Sequence, residues 1–223
     1  QDLKHMTVAQ LCDLTASDAP VPGGGSVSAL AGAFAAALTG MVAKLTQGKE
    51  KYAPVEEEMR SIDQEAEALR LRLLEDIQRD SLSFDGYMKA LRLPKGTEEE
   101  IKTRQEAMQA GLKEACTVPL CAAKDAHAVL KLAVATVARG NLNTYSDALV
   151  GAMLARTAIL GAVSNVRINL GGIRDEAYKQ KMRQQCDRLE QAARDWAAEH
   201  PEVLGAWDGR PGAPTVLVYG HLE

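Results

Sequence analysis

A chain of 223 residues can hold one large domain or two small ones, and 46% hydrophobic residues with only 4% aromatics leave its interior to Ala, Leu, Val and Met, the composition of packed helices rather than sheets. A net charge of -4 and a pI near 5.7, with Lys and Arg scattered among acids, argue against a nucleic-acid partner. Cys12, Cys116, Cys121 and Cys186 lack the paired spacing of a zinc site and read as reduced thiols, so a cytoplasmic chain without bound metal is expected.

In chain order, Leu3 to Leu14 predicts a short amphipathic helix, broken by Ser17, Asp18, Pro20, Pro22 and three glycines. Ser26 then opens a helix running to about Gln47. Its uncharged run from Gly23 to Ala43 approaches membrane-spanning length, but Ala, Gly, Ser and Thr dominate it, so a buried helix is expected and no membrane partner. Gly32, Ala36 and Gly40 make one face smooth, which suits a central helix or a subunit interface. No secretory leader pattern opens the chain, and a first residue of Gln suggests a trimmed terminus.

From Pro54 to Pro94 the pattern predicts one very long helix, with apolar residues at Val55, Met59, Ile62, Ala66, Leu69, Leu73 and Ile77, resuming at Phe84. Asp80 occupies the position where that stripe calls for Leu. A further helix from Glu98 to Ala138 should kink or divide at Pro119. After a break at Gly140, Asn141 and Asn143, two last helices cover about Thr144 to Leu170 and Asp175 to Glu199. One domain, residues 1–204, is the simplest partition. The Pro- and Gly-bearing tail, residues 205–223, differs in kind; its lone His221 makes no metal site, and a fragment of a neighbouring domain or an engineered end explains it better.

Asp80 carries the strongest chemical signal. A carboxylate in apolar surroundings has its pKa raised toward the range that acid-base catalysis uses, although an ion pair with Arg79 or Arg156 would explain it structurally. The Gly23-Gly24-Gly25-Ser26 turn offers backbone amides to an anion, or is only a tight turn capped by Ser26. Thr144 with Asp147 has capping-box spacing, which leaves Asn141 and Asn143 unexplained. Thr157, Gly161, Asn165 and Asn169 share a helix face that could present amides to a heterocycle or bridge helices. Lys44, Lys49, Lys51 and Tyr52 could hold an acidic tail or form a solvated helix end. His127 reads as packing, and Asp125 as a weaker echo of Asp80.

Five ordered blocks, Ala19 to Val27, Met41 to Tyr52, Asp80 to Pro94, Gly140 to Asp147 and Asn165 to Leu170, resemble the C-terminal domain of the formiminotransferase-cyclodeaminase family, over about Leu3 to Glu199. The resemblance implies an all-α bundle of long antiparallel helices that forms a homodimer through helix packing, with folate bound near the subunit interface. It implies hydrolysis of 5,10-methenyltetrahydrofolate to 10-formyltetrahydrofolate, or cyclodeamination of 5-formimidoyltetrahydrofolate to the methenyl compound plus ammonia. No metal or organic cofactor is implied. Asp80 matches the catalytic aspartate. Gly24, Gly25, Ser26 and Lys49 would suit the glutamyl carboxylates, and Asn141, Asn143, Asp147, Asn165 and Asn169 the pterin edge. With no formiminotransferase part in the sequence, the hydrolase is slightly favoured, while a lone cyclodeaminase stays open. A non-catalytic helical scaffold, or a folate- or anion-binding protein of the same fold, is the competing expectation.

Overall fold

The computed structural model describes residues 2–200, so the tail at 205–223 lies outside the described residues. Among the described residues there are six α-helices: α1 (Val8–Thr15), α2 (Gly24–Thr46), α3 (Glu56–Leu91), α4 (Glu98–Arg139), α5 (Tyr145–Leu170) and α6 (Glu176–Glu199). A short 3-10 turn at Leu3–His5 precedes α1, two more at Glu50–Val55 and Leu142–Thr144 lead into α3 and α5, and no strand occurs among the described residues.

Local sequence accounts for most of the boundaries. Thr7 with Gln10, and Thr97 with Glu100, form reciprocal capping boxes that start α1 and α4. Three glutamates open α3 and three open α4, where the helix dipole favours negative charge. Asp175 caps α6 by accepting from the Tyr178 N–H at 3.0 Å. The first predicted helix is shorter than expected, because the chain spends Leu3–His5 in a 3-10 turn and only then enters α1.

Helices α2, α3, α4 and α5 form a four-cornered bundle in which α2 and α4 also meet across the centre, and α6 lies on α5 and α4. Neighbours α2 and α5 run antiparallel, Gly24 lying level with Asn165 and Gly161 with Ser28. The pair α3 and α4 does the same, with Arg72 bonded to Asp125 and Arg139 to Glu58 at the other end. The predicted α3 stripe, Met59 through Ile77, is buried. The smooth α2 face also turns inward, with Gly32 against Leu73 and Gly40 near Ala66, so α2 is a central helix. By length and apolarity alone residues 24–46 and 142–170 could cross a membrane. Here both are bundle helices, although the outer face of the α2–α5 pair keeps Val27, Phe34, Met41, Leu45, Val150 and Met153 exposed.

Pro119 corrects one expectation. It does not divide α4, which is continuous over 42 residues. A proline has no N–H for the carbonyl four residues earlier, here Ala115. Asn169 on α5 supplies the missing donor, its Nδ2 lying 2.8 Å from that carbonyl oxygen.

Candidate active site

The N-terminus of α2 carries no side-chain cap of its own. Gly23 precedes the helix, and Ser26, expected to open it, stands inside the first turn with its side chain directed at α3. The first N–H groups of any helix lack intrahelical partners, and the dipole there favours an anion. Asp80 of α3 fills that need from across the bundle: it accepts from the Ser26 backbone N–H and from Ser26 Oγ, the latter at 3.2 Å.

Gly25 makes this approach possible. A Cβ there would overlap both carboxylate oxygens of Asp80, so the Gly-rich turn is a seat for an internal carboxylate. Asp80 is half-buried. Burial pushes its pKa up, and the two Ser26 hydrogen bonds pull in the opposite direction, leaving it above the ordinary aspartate value. Neither arginine that could have paired with it does so. Arg79 binds Asp76 at 2.5 Å, and Arg156 Nε donates to the Ala193 carbonyl.

Asn165 stands beside this seat. Its amide lies close enough to Gly24 that a Cβ there would sit 3.1 Å from Nδ2, and it donates to the Gly161 carbonyl at 2.8 Å. Gly24, Gly25, Ser26, Asp80 and Asn165 therefore meet. Asn169 lies one turn further along α5, with Nδ2 engaged by Ala115.

The remaining candidates gather at the opposite end of α2, about 33 Å away at 1.5 Å per residue. Asn141 is buried there; its Nδ2 donates to the Leu45 carbonyl and its Oδ1 accepts from the Asn143 N–H. Its backbone N–H donates to Thr46 Oγ1, and the Leu142 N–H donates to Tyr52 Oη. Asn143 and Lys49 are exposed, and Asp147 is half-buried. The predicted Thr144–Asp147 capping box is absent, because Thr144 Oγ1 donates back to the Asn141 carbonyl. Within one chain these four residues do not reach Asp80.

Sequence reasoning missed two groups. Asp76 is buried, and burial raises its pKa to about 6 against the lowering effect of Arg79. Its signal was the three-residue step to Arg79, overlooked because the stripe was counted through Ile77. Ser81, also buried, lies 3.1 Å from Ser26 Oγ. Asp125 turns out to be a surface partner, held by Arg72 through two bonds at 2.9 and 3.0 Å. His127 is half-buried, and burial pushes its pKa down.

A carboxyl of raised pKa that caps a helix start from a neighbouring helix, half open to solvent, can exchange a proton with a bound molecule. Comparisons with known proteins agree with the resemblance seen in the sequence. The chain is 38% identical over 183 residues to the methenyltetrahydrofolate cyclohydrolase of Methylorubrum extorquens, covering 82% of this chain and 88% of that one. It is 34% identical over 198 residues to the formimidoyltransferase-cyclodeaminase of Sus scrofa, covering 89% of this chain but only 37% of that longer protein. The crystal structure of formiminotetrahydrofolate cyclodeaminase from Thermotoga maritima superposes with a TM-score of 0.80 at 30% identity, over 91% of this chain and 98% of that one. With the sequence model described as formiminotransferase-cyclodeaminase matching residues 7–188, the chain belongs to the formiminotransferase-cyclodeaminase family.

Proposed function

We propose that this chain is a folate-acting enzyme that hydrolyses 5,10-methenyltetrahydrofolate to 10-formyltetrahydrofolate, with Asp80 as its general base and acid. The observation that carries this reading is the carboxyl seated on the α2 N-terminus, raised in pKa yet held by Ser26. The methenyl carbon lies in a cationic ring that water must attack. An ionised Asp80 beside it stabilises that cation and takes a proton as the water oxygen bonds to carbon. The carbon–N5 bond then breaks as the added hydroxyl becomes the formyl carbonyl; Asp80 returns its proton to N5, and the hydroxyl proton leaves to water. These steps use a carboxylate, water and the charge of the substrate itself. Asn165, next to the seat, is the amide best placed for the pterin edge. Ser26 is engaged with Asp80 and is assigned to that group rather than to the glutamyl carboxylates.

The Methylorubrum extorquens relative, which this chain spans almost fully, favours hydrolysis. The Thermotoga maritima structure, of equal extent, favours cyclodeamination as the second reading. There N10 attacks the carbon of the protonated formimidoyl group, and Asp80 takes the N10 proton and delivers it to the amine, which leaves as ammonia. Offering the purified chain each substrate separates the two, because methenyl-folate absorbance falls in the first case and appears in the second. Asp80→Asn should lower kcat/KM by roughly 10²- to 10⁴-fold while keeping the fold. Turnover of neither substrate would leave a non-catalytic helical scaffold or an anion-binding protein.

The reading includes a homodimer. The exposed apolar residues Val27, Phe34, Met41 and Leu45 of α2 with Val150 and Met153 of α5 suit a second copy of the same face. A two-fold axis near Phe34, midway along α2, would bring Lys49, Asn143 and Asp147 of one copy toward Asp80 of the other. Light scattering should return twice the 23.9 kDa chain mass; a monomer would remove both the dimer and this route of those residues to the site. The four cysteines, all unpaired, suit the cytoplasmic location that the reading also includes.

A further inference from the structure

The Ser26 hydroxyl sits among three oxygens and owns one proton. Its Oγ lies 3.0 Å from the Ile77 carbonyl, 3.2 Å from Asp80 Oδ2 and 3.1 Å from Ser81 Oγ. Ser26 and Ser81 are both buried, so these partners have to come from the protein. A hydroxyl donates once and accepts twice, and Ser26 therefore serves only one of its acceptors at a time.

Two arrangements satisfy the group. With Asp80 ionised, Ser26 donates to Oδ2 and accepts from the Ser81 hydroxyl. With Asp80 protonated, the carboxyl donates to Ser26 Oγ, and the Ser26 proton turns to the Ile77 carbonyl. Neither arrangement requires a heavy atom to move, so the acid gives and recovers its proton with little reorganisation.

We propose that Ser26 is a positioning residue whose hydroxyl turns between Asp80 and the Ile77 carbonyl as Asp80 gains and loses its proton, with Ser81 as its standing second partner. The inference rests on the reading of Asp80 as the acid-base group. No charge competes for the role. Helix α2 has no ionisable side chain before Lys44, which pairs with Asp63. On α5, Asn165 is neutral and Arg167 is held by Asp187 and Glu190. On α4, Asp125 is held by Arg72, and half-buried Cys121 lies near Asp76. On α3, Asp76 is held by Arg79. Burial and Ser26 account for the Asp80 shift without a charge partner.

The test is a carboxyl-carbon NMR titration of Asp80, assigned with Asp80→Asn, in the full chain without substrate. The ionised form loses the stronger, charge-assisted bond when the hydroxyl is removed. Ser26→Ala should therefore raise the Asp80 midpoint by about one pH unit. Ser26→Cys, a weak donor of similar shape, should fall between, and it reads the same quantity if the alanine variant does not fold. Ser81→Ala should raise the midpoint by a few tenths of a pH unit, roughly the polarising share of a second hydrogen bond. In kinetics the acid limb of kcat/KM should move upward by the same amount, with KM unchanged. A midpoint that stays within about 0.2 pH units in both Ser26 variants, where a charge-assisted bond predicts far more, would overturn the proposal. So would a raised KM with an unmoved midpoint, which would make Ser26 a substrate contact. A shifted midpoint in a chain that turns over no folate keeps the Ser26 device and removes the proposed function alone.

Discussion

The two ends of α2 use similar residues for opposite ends. At its C-terminus Thr46, Asn141, Tyr52 and Gln47 close every loose backbone group they meet, the Gln47 Nε2 reaching the Met59 carbonyl at 3.3 Å. At its N-terminus no side chain from the same segment caps the helix, and an ionisable carboxyl from α3 does so instead. Neutral amides at one end fix the fold in a single state. An acid held by a hydroxyl at the other end can gain or lose a proton, with burial pushing its pKa up. The proposed reaction is assigned to the end where the cap is titratable.

The sharpest way to break that contrast is Gly25→Ala. The added methyl overlaps the Asp80 carboxylate, which sits at the far end of a flexible side chain and can swing away. Displacement by about 1 Å from a working geometry can cost roughly 10²-fold in rate. The expected result is a kcat/KM reduced by about that factor or more, with a melting temperature close to wild type. Unchanged kinetics in a folded variant would show that Asp80 acts from some other position.

At the other end the expectation reverses. Asn141→Ala removes two side-chain hydrogen bonds and leaves the Leu45 carbonyl without its amide partner, which should lower stability by roughly 1–3 kcal/mol. Chemical denaturation measures this. The turnover number of the remaining folded protein should stay the same, and a fall in it would place Asn141 at the chemistry.

Much of this was legible in the sequence, for reasons particular to each element. The apolar period and the helix breakers located α3 to within three residues, and Gly171-Gly172 and Asp175 located the ends of α5 and α6 to within one. Asp80 was visible because it interrupts an otherwise regular stripe. What could not be read was pairing across helices. That Ser26 would bond Asp80, that Arg79 would choose Asp76, and that Asn141 and Asp80 lie at opposite ends of α2 depend on bundle geometry. Local pattern does not encode it.

Asp76 offers a milder contrast, one turn before Asp80 and facing α4. Its folded pKa of about 6 lies above the ordinary aspartate value, so the folded chain holds this proton more tightly than the unfolded one. The associated stability is complete below about pH 4 and is lost as pH rises through 6. Asp76→Asn should therefore flatten the stability profile between roughly pH 4 and 6.5. At pH 7 it should gain up to about 2 kcal/mol, after allowing for the lost bond to half-exposed Arg79. Denaturant midpoints across that range decide it. A variant that is less stable at pH 7 would mean that the Arg79 pair outweighs burial.

The smallest effect tests whether Asn169 is structural, as its bond to α4 indicates, or belongs with Asn165 at the pterin edge. Removing the amide leaves the Ala115 carbonyl without a donor, since Pro119 has no N–H to give. Asn169→Ala should cost about 1–2 kcal/mol. Replacing the proline restores the helix's own donor, so Asn169→Ala should cost much less in a Pro119→Ala background. The coupling in this double-mutant cycle should come out near 1 kcal/mol. A substrate contact would behave differently: the stability terms would simply add, and KM would rise in the single Asn169 variant whatever residue stood at position 119.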